Sequence, residues 1–168
     1  MEAQILFSEK QRFTQWWIWG IMMLINSIWI VAIFVQLIGG TPFGNNPMSD
    51  VGIIITAILT ILLTFFMRSL RLETQIRTDG IYVKFFPFYL NFKKYFWYEI
   101  SKCYLREYKP IKEYGGWGLR GFIKNRALNV SGNQGLQLIF TDNKKLLIGT
   151  NKPDEMKLAL MNLGKLTE

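Results

Sequence analysis

The chain has 168 residues, half of them apolar and only 19% charged, with a formal net charge of +8. Charge this sparse beside 13 Phe, 7 Tyr and 6 Trp excludes intrinsic disorder, and one cysteine, Cys103, excludes an internal disulfide. There is no histidine, which removes every Ser-His, Cys-His and His-metal arrangement.

Residues 1–12, with Lys10 and Arg12, form a short N-terminal segment. Residues 13–49 then carry no charge. Within them, residues 16–37 are nearly all apolar, with Asn26, Ser27 and Gln36 as the strongly polar members. As a helix that stretch reaches roughly 33 Å, against a hydrocarbon core of about 30 Å. It lacks the polar face of a soluble helix, and Trp16, Trp17 and Trp19 cluster where an aromatic belt would lie. A first transmembrane helix is therefore expected over 13–38, followed by a Gly- and Pro-rich loop over 39–50 without Lys or Arg. A second is expected over 51–67, roughly 25 Å long and ended by Arg68 and Arg71. A cleavable signal peptide fits less well, because the first apolar run exceeds an h-region and no small-x-small site follows clearly. With Lys10 and Arg12 before the first span and Arg68, Arg71 and Arg77 after the second, the positive-inside rule puts both termini in the cytoplasm. Asn26, Ser27 and Gln36 are expected to make inter-helix or oligomer contacts.

Beyond Arg68 the period changes to two. Leu70, Leu72, Thr74 and Ile76 alternate with charged and polar residues, Thr78-Asp79-Gly80 signals a tight turn, and Ile81, Val83 and Phe85 alternate again. This predicts a hairpin. Further strands are expected over 94–99, 102–108, 126–130, 136–140 and 145–148, with a long glycine-rich connection over 109–125. At the end, Asn151 is a candidate N-cap and Pro153 suits a first turn. Met156, Ala159, Leu160 and Leu163 then form one apolar helical stripe. The expected domain over 68–168 is α+β: about seven antiparallel strands in a bent sheet or partial barrel, closed by a C-terminal helix.

The stretches 78–83 (TDGIYV), 97–100 (WYEI) and 146–150 (LLIGT) in this order resemble pleckstrin-homology-like (PH-like) domains. With residues 111–120, 129–138 and 147–156, the whole chain resembles small bacterial membrane proteins that join two transmembrane helices to a PH-like domain, a group largely without assigned function. That resemblance implies an integral protein of the bacterial plasma membrane and no particular activity. PH domains that hold phosphoinositides do so with basic residues between the first two strands. Here that turn is short and contains Asp79, so the usual headgroup site does not carry over.

Gly116-Trp117-Gly118-Leu119-Arg120-Gly121 matches G-x-G-x-x-G, but no helical stripe follows it to receive a pyrophosphate. Glycines permitting positive φ in a loop are the simpler reading. Around them, basic and aromatic residues interleave, and Lys112, Tyr114, Trp117, Arg120 and Lys124 are the candidate contact residues. The competing reading folds Tyr114 and Trp117 back onto the domain and leaves the cations in solvent. No acid-base pair, metal cluster or activated nucleophile stands out, and Cys103 reads as an inert buried thiol. No cofactor, metal or nucleic acid is expected. The expectation is a non-enzymatic, membrane-anchored interaction or scaffold module that binds a protein partner or a second copy of itself. The alternative is a reader of anionic lipid through residues 109–126.

Overall fold

The computed structural model describes residues 3–122 and 124–167. The parts of the expected N-terminal segment, glycine-rich connection and C-terminal end that fall on residues 1, 2, 123 and 168 lie outside the described residues. The chain divides into two compact units: Thr14–Ser69, and Met1–Phe13 with Leu70–Glu168.

The first unit is a helical hairpin. Helix α1 (Trp16–Ala32) runs on as a π-helical turn, Ile33–Ile38, and α2 covers Asp50–Ser69. Both continuous stretches, Trp16–Ile38 and Asp50–Ser69, are long and apolar enough to cross a membrane, and only 6% and 11% of their most apolar windows are buried. The expected polar contacts are present in part. Asn26 donates from Nδ2 to Thr64 Oγ1 of the facing helix at 2.9 Å, and to its own Met22 carbonyl at 2.7 Å. Gln36 Nε2 donates to Asp50 Oδ1 at 2.7 Å and to the Met48 carbonyl at 2.8 Å, closing the loop between the helices. Ser27 donates within its own helix, to the Met23 carbonyl.

The second unit is built from two sheets and two further helices. Its nine strands, counted among the described residues, are β1 (Ile5–Arg12), β2 (Arg71–Arg77), β3 (Gly80–Phe86), β4 (Lys93–Phe96), β5 (Ile100–Glu107), β6 (Gly118–Phe122), β7 (Asn125–Asn129), β8 (Gln134–Phe140) and β9 (Lys145–Gly149). One sheet has the order β1-β2-β3-β4, the other β5-β8-β9-β7-β6. The expected hairpin is present: Leu72 faces Phe85 and Ile76 faces Ile81 across β2–β3, and all four are fully buried. The C-terminal helix α4 (Pro153–Asn162) packs on β1 and β2 and buries Met156, Ala159 and Leu160.

Several expectations need correction. Among the described residues, the expected domain over 68–168 holds eight strands rather than about seven, β1 from the N-terminal segment adds a ninth, they form two separate sheets, and β7 and β9 pair in parallel. The parallel pair arises because β8 skips the slot beside β7 and β9 enters it. The strand expected over 94–99 ends at Phe96, and Trp97–Glu99 is a 3-10 turn. The next strand starts at Ile100 rather than at residue 102. The cap of α4 is Lys152, while Asn151 pairs its side chain with Ser131. The stretch 109–125 is not one loop: it contains α3 (Pro110–Tyr114) and β6. Proline opens α3, and Gly115 ends it in the left-handed region at φ 71°.

The largest correction concerns the N-terminal segment. Residues 5–12 form a strand paired in antiparallel with β2, from Ile5 opposite Arg77 to Arg12 opposite Arg71. Its inward positions are Phe7, Glu9 and Gln11. Two of these are polar, so no hydrophobic alternation announces the strand. The Glu9 carboxylate and the Gln11 amide nitrogen find partners at the other sheet's end, while Gln11 Oε1 is buried without one among the described residues. The Glu9 carboxylate accepts from Thr150 Oγ1 at 2.6 Å and from the Asn151 amide at 2.9 Å, and Gln11 Nε2 donates to the Gly149 carbonyl at 2.7 Å.

Candidate functional site

The five residues singled out from the sequence fall around α3 and the β6–β7 hairpin, but they divide into two groups. Tyr114 and Trp117 fold back. Tyr114 packs on a small buried cluster of Tyr108, Ala127 and Leu147, its ring 6.2 Å from that of Tyr108 and edge-on to it. This cluster covers the second face of the β7–β9 region. It explains why residues 146–150 are buried without alternation, as in a sheet covered on both sides. Trp117 donates from Nε1 to the Gly132 carbonyl at 3.1 Å. Lys112, Arg120 and Lys124 are exposed. Arg120 turns its Nε to the Trp117 carbonyl at 2.9 Å, which helps hold the turn before β6.

The glycine motif is a turn leading into β6, with a strand after it rather than a helix. Gly116 and Gly118 have φ of 120° and 118°, and at Gly121 a Cβ would collide with the Asn125 carbonyl across the hairpin. The glycines therefore serve backbone geometry, as the simpler reading expects.

Two residues that give this region its shape were not singled out from the sequence. Asn129 is fully buried; its Nδ2 donates to Tyr108 Oη at 3.0 Å and its Oδ1 accepts from the Gly118 amide at 2.9 Å. It thus ties the start of β6 to the core. Arg106 bridges Glu113 Oε2 at 2.8 Å, Tyr114 Oη at 3.3 Å and Gln137 Oε1 at 3.1 Å. The Arg106 hydrogen bond, helped by the Lys109 amide, holds the Glu113 carboxyl below its usual pKa. Burial pushes the Cys103 thiol up to about 12, which fits an unreactive core position.

The surface this leaves is an edge. Among the described residues β6 pairs only with β7 and forms the outer strand of its sheet. At the opposite edge, β5 is partly covered, because the Thr167 amide donates to the Cys103 carbonyl at 2.7 Å and Thr167 Oγ1 accepts from the Cys103 amide. Beside β6 lies an open recess of about 440 Å³ lined by Glu113, Tyr114, Leu119, Arg120, Phe122 and Asn125. Phe122, at the end of the strand, is 89% exposed. Such an edge offers unpaired backbone groups to an extended segment, with side-chain pockets beside them. No group of three or more metal-ligating side chains occurs among the described residues.

A model of a family of unknown function (DUF6141) matches residues 1–165, so the chain belongs to that family. No curated protein matches it.

Proposed function

We propose that this member of a family of unknown function is a membrane-anchored, non-enzymatic interaction module, its sheet unit a PH-like domain that binds a protein partner at the cytoplasmic membrane face. The observation that carries the reading is the pairing of β1 with β2. One strand precedes the first apolar helix and the other follows the second. Two membrane crossings return the chain to the side on which it started, so both strands can meet in one sheet. The same pairing argues against a cleaved signal sequence, since cleavage after α1 would remove β1 with the Glu9 and Gln11 bonds that close the domain. Lys10, Arg12, Arg68, Arg71 and Arg77 flank the helices, and the loop between them has no Lys or Arg, which favours the cytoplasmic side.

The partner we propose is an acidic, extended segment added to β6. Backbone pairing would supply affinity, and the exposed Lys112, Arg120 and Lys124 would supply charge selection. A second reading, contact with anionic lipid through the same hairpin, is favoured by the exposed Phe122 beside those cations.

Carbonate washing should leave the protein in the membrane fraction, and reporters fused at either terminus should be active only as cytoplasmic readouts. Release by carbonate, or a C-terminal reporter active outside, overturns the anchor and its orientation. A photo-crosslinking residue at position 120 in intact membranes should trap one protein of discrete mass, and Phe122→Asp should abolish the adduct. Crosslinks to lipid alone would favour the second reading, and an adduct unaffected by Phe122→Asp would remove the β6 edge from the proposal.

A further inference from the structure

Strand β4 sends its lysines to opposite faces. Lys94 is bound by Asp79, which also accepts from Tyr82 Oη. Lys93 and Tyr95, two residues apart, line a recess of about 190 Å³ between β4 and the end of the second sheet. The other side of the recess carries Arg126 from β7, Phe140 from β8, and Lys144 and Lys145 at the start of β9. Four cations therefore converge on one opening from three distant parts of the chain.

The backbone that carries them is fixed by sheet pairing, with Arg126 half-buried and the side chains of Lys93, Lys144 and Lys145 exposed at the rim. Arg126 stands opposite Leu146, and Asn125 opposite Lys145, in the parallel β7–β9 register. The Lys145 amide donates to the Lys124 carbonyl at 2.8 Å. Tyr95 and Phe140 hold their rings 5.2 Å apart across the gap, and the Lys93 ammonium lies 5.4 Å from the Tyr95 ring centre. No acid lines this recess. The adjoining one carries Glu99 and Asp142. Glu99 Oε2 accepts from the Phe96 amide at 2.9 Å, and Asp142 pairs with Lys144 at 2.6 Å. Among the described residues no ion pair involves Lys93, Arg126 or Lys145.

We infer that the recess between β4 and the β7–β9 end of the second sheet, formed by Lys93, Arg126, Lys144 and Lys145, is a binding site for a phosphate monoester group. Like charges repel, and the ordinary surface arrangement scatters them among acids. Here three cations without carboxylate partners and one shared with Asp142 meet against aromatic walls, which focus their field on the opening. A phosphate monoester brings nearly two negative charges and three acceptor oxygens. An arginine fork and lysine point charges together match that group. The aromatic walls would face whatever carries the phosphate. Two sources share this chemistry, a lipid headgroup and a soluble phosphate ester. The recess does not include the turn between β2 and β3, and Arg120 of the β6 edge does not line it.

The test uses the full chain in lipid nanodiscs. One arm titrates glycerol 3-phosphate onto neutral discs, and the other compares discs of phosphatidylcholine alone with discs containing phosphatidic acid. The reporters are the NMR signals of Tyr95 and Leu146. Saturable shifts are expected in one arm; the first identifies a soluble ester, the second a headgroup. An Arg126→Gln, Lys145→Gln double variant should bind more than about tenfold more weakly, each lost charge-assisted bond being worth around that factor. Arg126→Lys should retain part of the affinity and control for folding, and Lys157→Gln, at an exposed cation of α4, should bind as the parent does. Absence of saturable binding in both arms overturns the inference. So does equal affinity in the double variant, or an equal loss on Lys157→Gln, which would mean diffuse attraction to a positive surface. Because Arg120 is left intact in the double variant, failure here leaves the partner proposal at β6 standing, and failure at β6 leaves this site standing.

Discussion

The helical unit and the sheet unit use apolar residues in opposite ways. Within α1 and α2 only Ile18, Ala32, Ile53 and Ala57 are buried, while the larger side chains, such as Leu62 and Phe65, face outward. In the sheet unit Leu72, Ile76, Ile81, Val83 and Phe85 have no exposed surface at all. Water can drive the second arrangement but would oppose the first. In the proposed bilayer setting, mutual recognition of the helices would fall to small residues and a few polar contacts such as Asn26 with Thr64. The sheet unit has the reverse economy: shape is set by burial, and polar contacts such as Glu9 with Thr150 decide which strand joins which.

That contrast can be broken by substitution. Leu147→Ala, beneath Tyr108 and Tyr114, should cost the sheet unit about 2–5 kcal/mol, while Leu62→Ala on α2 should leave it unchanged. Hydrogen exchange of the full chain in detergent reads both, and equal losses would show that the two units do not differ in kind. Glu9→Ala strands the Thr150 hydroxyl and the Asn151 amide, and an unsatisfied buried group costs about 1–3 kcal/mol. Protection should fall in β1 and around residue 150 but not in the helices. Asn26→Leu keeps the bulk and removes the hydrogen bond to Thr64, and should weaken helix pairing by about 0.6–2 kcal/mol. A thermal shift of the helical signals alone would bear this out.

The smallest effect expected is at Asp79, whose side chain is partly exposed. Its hydrogen bond to Lys94 holds its carboxyl below the usual value of 3.8. A carboxyl whose folded pKa is depressed contributes stability above its unfolded pKa and loses it as pH falls through the folded one. The parent should therefore melt slightly above Asp79→Asn at neutral pH, and the two curves should converge as pH falls through the lowered folded pKa of Asp79. A difference that persists in strong acid would mean that the charge is not the cause.

How much of this was legible varied with how local the signal was. The β2–β3 hairpin was readable because Leu72, Thr74 and Ile76 alternate and a two-residue turn follows. Strand β1 was not, because its inward Glu9 and Gln11 look like surface residues until Thr150, Asn151 and Gly149 are brought to them. Helix α3 is five residues long and β6 is rich in glycine, so neither offers a period to read. At the candidate site, the aromatic–basic mixture singled out residues around this hairpin but did not show how they divide between packing and exposure. Tyr114 and Trp117 are half-buried and held against the fold, whereas Arg120 and Phe122 are left on the edge.

The amino-acid order by itself determined the two apolar helices, the first hairpin of the sheet unit and the apolar stripe of the closing helix. Each rests on hydropathy and periodicity among near neighbours, where sequence distance and spatial distance coincide. Only the tertiary structure decided that residues 5–12 complete the first sheet, that β9 lies between β8 and β7, and that Lys93, Arg126, Lys144 and Lys145 share one opening. Those outcomes depend on hydrogen bonds and charge encounters between segments far apart in the chain, and no local pattern encodes which distant groups will meet.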